Sequence, residues 1–178
     1  MTDHTRKKSR IQWLTRIGAS LLYWDEYISH QISDGLPSPF LHKLMTWFSN
    51  PPGWLGMTFV AIIIALTVGT GQTRRRVAIL LFSILLSDQT CNLIKSLTKR
   101  VRPYGTDFSF PSSHAANMFC ASVLLAAWLP AWADLLYLWA ALVGFSRIYL
   151  KKHYLLDVFV GTLIGVLYAR LLLTVTGA

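Results

Sequence analysis

Five long apolar segments, separated by short polar links, constrain the fold of this chain more than any other feature. A helix that crosses a bilayer needs about 20 mostly apolar residues, and five stretches reach or approach that length. They cover residues 54–71, 77–97, 114–132, 134–150 and 155–175. Because lipid offers no hydrogen-bond partners, only helices and closed barrels span it. The pattern predicts an all-α fold, a polytopic membrane helical bundle with five transmembrane helices.

The composition agrees with this prediction and narrows the partners. Of the 178 residues, 53% are hydrophobic and 14% are charged, whereas a typical soluble domain carries about 25% charged residues. The net charge is +9, but the basic residues lie between apolar runs. We therefore expect anionic lipid or phosphate as the partner rather than nucleic acid. Cys91 and Cys120 are predicted to be buried free thiols, and no metal-ligand spacing occurs, so we expect no metal and no cofactor.

The first 50 residues have a different pattern. Apolar residues recur at helical spacing from Trp13 onward, but Asp25 and Glu26 interrupt them. This pattern is typical of an amphipathic helix that lies in the membrane interface. Glycine and proline within 35–39 should break it, and a second short helix is predicted over 40–48.

These patterns predict two regions. Residues 1–50 would form interfacial amphipathic helices, and residues 51–178 would form the transmembrane core. An alternative is a sixth membrane span built from residues 11–32.

The arginines between the first two spans orient the bundle. Arg74, Arg75 and Arg76 crowd a short link, and the positive-inside rule places that link in the cytoplasm. The loops at 98–113 and 147–153 then share the outer face, and the C-terminus is cytoplasmic. The N-terminus would be outside with five spans and inside with six, and the sequence leaves both alternatives open.

Residues with chemical potential gather at the ends of the apolar segments that this topology brings together. Counting crossings places the ends of the second and fourth spans beside the starts of the third and fifth. Titratable residues are costly in a bilayer and are kept there mainly for function. The set suits one task, which is to hold a phosphate group and attack it. It comprises Lys95, Arg102, Ser112, Ser113, His114, Arg147, His153 and Asp157.

His153 and Asp157 are four residues apart at the start of a helix, so they share one face. The carboxylate can accept a proton from one ring nitrogen and leave the other free to attack. The competing interpretation is a helix-surface ion pair. His114 follows Ser112 and Ser113 at a helix start, where free N–H groups bind anions and a histidine can protonate a leaving oxygen. The competing interpretation is an N-cap beside an interfacial histidine.

Three basic residues complete the set. Lys95, Arg102 and Arg147 can neutralise phosphate oxygens, although single basic residues beside a span usually reach for headgroups. Asp88 lies within the second span, and we expect it to bond to a neighbouring helix.

The three motifs resemble the signature of the type 2 phosphatidic acid phosphatase and vanadium haloperoxidase superfamily. The matching residues are Lys95-x6-Arg102-Pro103, Pro111-Ser112-Ser113-His114 and Ser146-Arg147-x5-His153-x3-Asp157. The commonest form of the signature has glycine where this chain has Ser113. Five spans favour the lipid phosphatase branch over the soluble haloperoxidases.

The resemblance implies a role for each site residue. His153 would be the nucleophile that forms a phosphohistidine, Asp157 would orient it, and His114 would protonate the leaving group. Lys95, Arg102, Arg147 and Ser112 would cradle the phosphate, with the backbone N–H of Ser113.

The resemblance also implies a function. The protein would be a metal-independent histidine phosphatase, which is a hydrolase of phosphoric esters or anhydrides. It would be a multi-pass protein of the inner (cytoplasmic) membrane of a bacterium. Its partner would be a phosphorylated membrane lipid of the undecaprenyl diphosphate, phosphatidylglycerophosphate or lipid A phosphate type. The alternatives are a non-catalytic lipid-binding or flipping protein and a phosphatase for a soluble phosphate ester.

Overall fold

Six α-helices with described bounds and one 3₁₀ turn form most of the described part of the molecule. The computed structural model describes residues 3–49, 59, 62–63 and 65–177. The elements are α1 (Asp3–Asp34), α2 (Pro39–Ser49), α3 (Gly71–Thr98), α4 (Ser113–Trp128), the 3₁₀ turn Pro130–Trp132, α5 (Ala133–Tyr149) and α6 (Leu155–Thr176). Of the predicted first span, 54–71, residues 54–58, 60, 61 and 64 lie outside the described residues, and residues 59, 62–63 and 65–67 are helical.

The helix boundaries follow local capping rules. Thr70 precedes α3 in an extended conformation, and its hydroxyl accepts the N–H of Thr73 at 3.2 Å, which satisfies one free donor of the first turn. At the other end Lys99 takes a left-handed conformation with φ 49°, the usual way to stop a helix. Between α1 and α2 the chain breaks over residues 35–38, as the glycine and prolines there predicted.

Helix α4 is the centre of the bundle and contacts α3, α5 and α6. Its side chains Cys120, Val123 and Leu124 are buried, and they form one core cluster with Ile79 and Ala169. Both cysteines of the chain are free and buried, as predicted. A second cluster joins α2 to α5 through Met45, Phe48, Val143 and Tyr149.

Helices α4 and α6 approach so closely that their backbones touch. A β-carbon at Gly161 would collide with the backbone oxygen of Ser112, and one at Gly165 would collide with that of Ala116. Ala169, one turn further along, is fully buried. Small residues at four-residue spacing are the usual device for close packing of membrane helices.

Three helices among the described residues are long and apolar enough to cross a membrane. They are Gly71–Thr98, the continuous stretch Pro130–Tyr149, and Leu155–Thr176. Helix α4, predicted to span over 114–132, has 16 residues and is about 24 Å long at 1.5 Å per residue. Eight of its residues are buried against the surrounding helices. The count of five spans stays a prediction.

The arginine-rich link differs from its prediction. Arg74, Arg75 and Arg76 belong to the first turns of α3, which begins at Gly71. Arg75 donates to the backbone oxygen of Thr176 at 2.5 Å, a free acceptor at the C-terminus of α6. A cation there also complements the helix dipole. Arg75 therefore has a partner within the fold, and the predicted link is part of a helix.

Helix α1 turns its polar side inward. Asp25 and Ser29 are buried against the bundle, whereas Leu21, Trp24 and Tyr27 are exposed. A soluble amphipathic helix does the reverse. An aromatic outer face suits a membrane interface, although the interfacial placement of this region stays a prediction.

Candidate active site

The three motifs meet at one end of the bundle. The Lys95 ammonium, at the end of α3, donates to the Ser113 hydroxyl at 2.6 Å, at the start of α4. The backbone N–H of Ser112 donates to the backbone oxygen of Asp157 at 2.9 Å, at the start of α6. These contacts confirm the prediction that the ends of the apolar segments share one face.

His153 and Asp157 form a buried pair beneath this face. Their side chains are 1% and 0% exposed, and His153 Nδ1 lies 3.6 Å from Asp157 Oδ2. That distance exceeds a hydrogen bond of about 2.7–3.2 Å, and catalytic contacts often tighten only when substrate binds. Because Nδ1 faces Asp157, Nε2 lies on the opposite side of the ring.

The surroundings of His153 favour its neutral form. Burial lowers the pKa of the imidazole below its ordinary 6.5, and the cations Arg147 and Arg102 lower it further, while the nearby Asp157 carboxylate opposes both effects. A neutral ring has a free lone pair, so this histidine has the protonation state that a nucleophile needs.

Arg147 reaches the site from the last turn of α5. Its side chain is buried, and its Nη1 donates to the backbone oxygen of Ser49 at 3.2 Å and to the Ser49 hydroxyl. Its Nε has no hydrogen-bond partner among the described residues. A buried free donor is costly, and an anion in the site would remove that cost.

Arg102 is placed differently from the other predicted phosphate ligands. Its guanidinium contacts its own loop, with Nε 3.4 Å from the Phe108 backbone oxygen and Nη1 3.7 Å from Asp107 Oδ2. Val101 and Phe108 form a bridge that closes this loop. The positive charge of Arg102 contributes to the lowered pKa of His153, so the residue belongs to the same cluster of cations.

The start of α4 has the geometry of an anion site. Ser112 is its N-cap, and its hydroxyl accepts the N–H of Ala115 at 3.5 Å. Ser113, where glycine is commonest, has no positive φ, so serine fits this helical position without strain. Its hydroxyl also holds Lys95. His114 is exposed, which leaves its ring open to a substrate.

Asp88 makes the interhelical contact expected for it. Its Oδ1 accepts from the Asn117 amide of α4 at 3.3 Å, and its Oδ2 accepts from Asn92 at 3.0 Å. The carboxylate is thereby paired within the bundle, as a polar group at this depth requires.

A family model described as the PAP2 superfamily matches residues 76–178 of this chain. The chain belongs to the PAP2 superfamily. Similar PAP2 proteins in sequence are a Lipid A 4'-phosphatase of Bacteroides thetaiotaomicron, 29% identical over 74% of this chain and 68% of the relative, and Phosphatidylglycerophosphatase B of Bacillus subtilis, 28% identical over 72% of each. An Undecaprenyl-diphosphatase of Sulfolobus acidocaldarius is 39% identical over 38% of this chain and 34% of the relative.

Two solved structures share the fold. Aquifex aeolicus LpxE superposes with a TM-score of 0.70 at 26% identity, covering 83% of this chain and 93% of that one. The first transmembrane PAP2 type phosphatidylglycerolphosphate phosphatase from Bacillus subtilis gives a TM-score of 0.73 at 25% identity, covering 89% and 87%. These likenesses confirm the predicted family and the all-α membrane bundle, and the protein is a multi-pass membrane protein.

Three residues outside the PAP2 motifs hold the site together and escaped the sequence analysis. Arg100 donates to Asp157, Asp25 contacts Arg100, and Ser49 binds Arg147. Asp25 had a signal, since a carboxylate within an aromatic run needs a polar partner. Arg100 looked like one more basic loop residue, and Ser49 had no distinguishing feature.

Proposed function

We propose that this PAP2 protein is an integral-membrane lipid phosphatase that works through a phosphohistidine. The observation that carries the proposal is the buried pair of His153 and Asp157 beneath a helix start lined by Lys95 and Arg147. The names of the relatives, which are phosphatases of lipid A, phosphatidylglycerophosphate and undecaprenyl diphosphate, support a lipid substrate.

The chemistry divides into two displacements. In the first, Nε2 of His153 attacks phosphorus, the bond from phosphorus to the leaving oxygen breaks, and His114 donates a proton to that oxygen. In the second, water attacks phosphorus, the bond from phosphorus to Nε2 breaks, and His114 takes the proton of the water, so that phosphate leaves and both imidazoles return to their starting states. Asp157 holds the ring and stabilises its positive charge, as the carboxylate of a catalytic triad does.

The cations stabilise the charge that develops on the phosphoryl oxygens. Lys95, Arg147, the Ser112 hydroxyl and the backbone N–H of Ser113 would bind these oxygens directly. Arg102 would join them by leaving its contact with Asp107, an exposed carboxylate in the same loop.

The substrate class is a phosphorylated membrane lipid, either a phosphomonoester or a diphosphate. We place the protein in a bacterial inner membrane with this face toward the periplasm or exterior, with residues 1–50 as interfacial helices and 51–178 as the phosphatase core. Fusing a compartment-specific reporter to the C-terminus tests the orientation. A cytoplasmic signal is expected, and a periplasmic one would reverse it.

The activity test is phosphate release by detergent-purified protein with EDTA present. The panel would hold lipid A, phosphatidylglycerophosphate, undecaprenyl diphosphate and a short-chain soluble analogue, with His153→Ala alongside. We expect release from at least one lipid and none from the variant. Release that persists in His153→Ala would exclude the mechanism. Preference for the soluble analogue would favour a soluble ester, and no release at all would favour a non-catalytic lipid-binding protein.

A further inference from the structure

Arg100 bridges two buried carboxylates that come from opposite ends of the sequence. Its Nη1 lies 2.9 Å from Asp157 Oδ1 and its Nη2 lies 2.7 Å from Asp25 Oδ2. The guanidinium also stacks on the Tyr154 ring, with 3.9 Å from its carbon to the ring centroid. The arginine side chain is 15% exposed, and the two carboxylates are 5% and 0% exposed. This ion-pair chain ends at the carboxylate that faces His153.

Helix α1 also caps the start of α6. The other oxygen of Asp25 accepts the N–H of Leu156 at 2.7 Å, and the Ser29 hydroxyl accepts that of Leu155 at 2.9 Å. These are free donors of the first turn of α6, the same turn that carries Asp157. The hydroxyl of Ser29 in turn donates to the Asp25 backbone oxygen at 2.6 Å. Asp25 therefore acts on Asp157 in two ways. It holds the helical turn that carries Asp157 through the N–H of Leu156, and it reaches the Asp157 side chain through Arg100.

Both oxygens of the Asp157 carboxylate accept a hydrogen bond. Arg100 holds Oδ1, and the backbone N–H of Tyr154 holds Oδ2 at 2.9 Å. With both oxygens held, the plane of the carboxylate is fixed, and Oδ2 stays directed at His153. A two-pronged guanidinium suits this task because its donors have a rigid, planar geometry.

The second carboxylate also sets the charge beside the imidazole. Arg100 alone would cancel the charge of Asp157, but sharing its guanidinium with Asp25 leaves the three groups with a net charge of about −1. A negative environment stabilises the positive ring that forms when His153 is phosphorylated or protonated.

We propose that Asp25 and Arg100 are positioning residues for the phosphoryl transfer at His153, so that helix α1 is a working part of the active site. This inference rests on the proposed function. The competing account is a structural salt bridge that only attaches α1 to the bundle. The two accounts differ in what they predict for turnover and for the titration of His153.

The kinetic test compares Asp25→Asn and Arg100→Gln with the matched control Glu26→Gln. Glu26 is the next residue, is exposed, and carries the same charge as Asp25. In metal sites, loss of a residue that orients a ligand costs about 10- to 100-fold in affinity or activity, and we take the same range for residues that orient Asp157. We expect such a fall in kcat for both variants, little change in KM, and an unchanged Tm for Asp25→Asn, whose side chain keeps its shape. Arg100→Lys should restore only part of the loss.

The second test needs no activity. The ring carbon of His153 is followed by NMR against pH in histidine-labelled protein, with His153→Gln giving the assignment. The charged or titratable groups that act on this ring are Asp157 on α6, Arg147 on α5, His114 on α4 and Arg102 in the preceding loop, with Arg100 and Asp25 acting through Asp157. Removing a positive charge raises the pKa of a histidine, and removing a negative one lowers it.

The expected titrations move in opposite directions. Arg100→Gln should raise the pKa of His153, Asp25→Asn should lower it, and Glu26→Gln should leave it unchanged. A lower Tm with unchanged kcat and titration would overturn the proposal in favour of a structural bridge. Unchanged values of all three quantities in both variants would also overturn it. A wild-type protein without phosphatase activity would sink the proposed function, while the titration would still decide whether the chain of ion pairs acts on His153.

Discussion

The two N-terminal helices and the four helices that carry the motifs contribute to the site in different ways. Helices α3 to α6 supply the groups that would touch phosphate, and their residues match a known signature. Helices α1 and α2 match no motif and fall outside the family match over 76–178. Their residues Asp25, Ser29 and Ser49 nevertheless bind Arg100, the start of α6 and Arg147. A signature records the residues that meet the substrate, whereas the residues that hold them are set by the particular packing of each chain.

Breaking the pair of Asp157 and His153 should have the largest effect on activity. Asp157→Asn keeps the size of the side chain but removes its charge and can present an amide to His153, which disfavours the attacking tautomer. The corresponding change in a catalytic triad costs about 10⁴-fold in kcat, and we expect a loss on the order of 10³-fold or more here. Steady-state kinetics on the best lipid of the panel measures it. A loss below tenfold would show that Asp157 does not direct the histidine.

Separating α4 from α6 should come next. Gly161→Ala places a methyl group against the backbone of Ser112, and overpacking of this kind costs about 1–3 kcal/mol. We expect a lower Tm in detergent and a loss of activity, because the start of α4 moves relative to Asp157. Gly71→Ala is the control, since a β-carbon there meets nothing within 4 Å. Equal Tm values for the two variants would contradict the close approach.

The contribution of α2 is tested by Ser49→Ala. The variant keeps the backbone acceptor for Arg147 and removes the hydroxyl. Hydrogen bonds to charged groups contribute about 1.5–3 kcal/mol, so we expect KM to rise about tenfold while kcat changes less. Ser96→Ala, at an exposed serine of α3, is the matched control. An unchanged KM would remove α2 from the site.

The effect of the neighbouring cations on the pKa of His153 is tested by the pH dependence of kcat/KM. Because burial and nearby cations lower the pKa of His153, its neutral form persists below pH 6.5, and the acid limb should lie below that value. Arg102→Gln removes one of those cations, so the limb should move to higher pH. Lys99→Gln, in the same loop, should leave it in place. A limb that moves to lower pH in Arg102→Gln would contradict this account.

The smallest effect is expected at the departure from the signature. Ser113→Gly restores the commoner residue and removes the hydroxyl that holds Lys95 at 2.6 Å. The N–H at this position remains, so we expect kcat/KM to fall about fivefold or less. Steady-state kinetics of both proteins on the same lipid measure the loss in kcat/KM. A gain in kcat/KM would mean that the serine hinders Lys95.

Hydropathy located most of the fold. The predicted spans 77–97, 134–150 and 155–175 correspond to α3, α5 and α6, because each has an apolar outer surface that continues for many turns. It predicted a span over 114–132, where the structure has a helix over Ser113–Trp128; this segment stays a predicted span, since a segment buried in protein and one buried in lipid have the same composition. It also placed Arg74 to Arg76 in a link, because the acceptor at Thr176 is a hundred residues away along the chain.

The motifs predicted the candidate site residues, but not the residues that hold them. Spacing selected Arg102 as a phosphate ligand, a role that stays a prediction, and gave no sign that Arg100, two residues earlier, contacts Asp157. Two arginines in one loop are equivalent in sequence and differ only in the direction that the folded loop gives them. Asp25 is likewise 75 residues from Arg100, and no local pattern joins them.

The bare backbone contact between α4 and α6 has a consequence for how this protein can diversify. Because Gly161 lies against the main chain of Ser112, backbone contact sets the distance between the start of α4, the proposed phosphate site, and the helix that carries Asp157. Side-chain substitutions at this contact cannot change that distance without separating the two helices. We therefore expect adaptation to a new lipid tail or headgroup to occur in the surrounding loops and on the outer helix faces, where substitutions leave the distance unchanged.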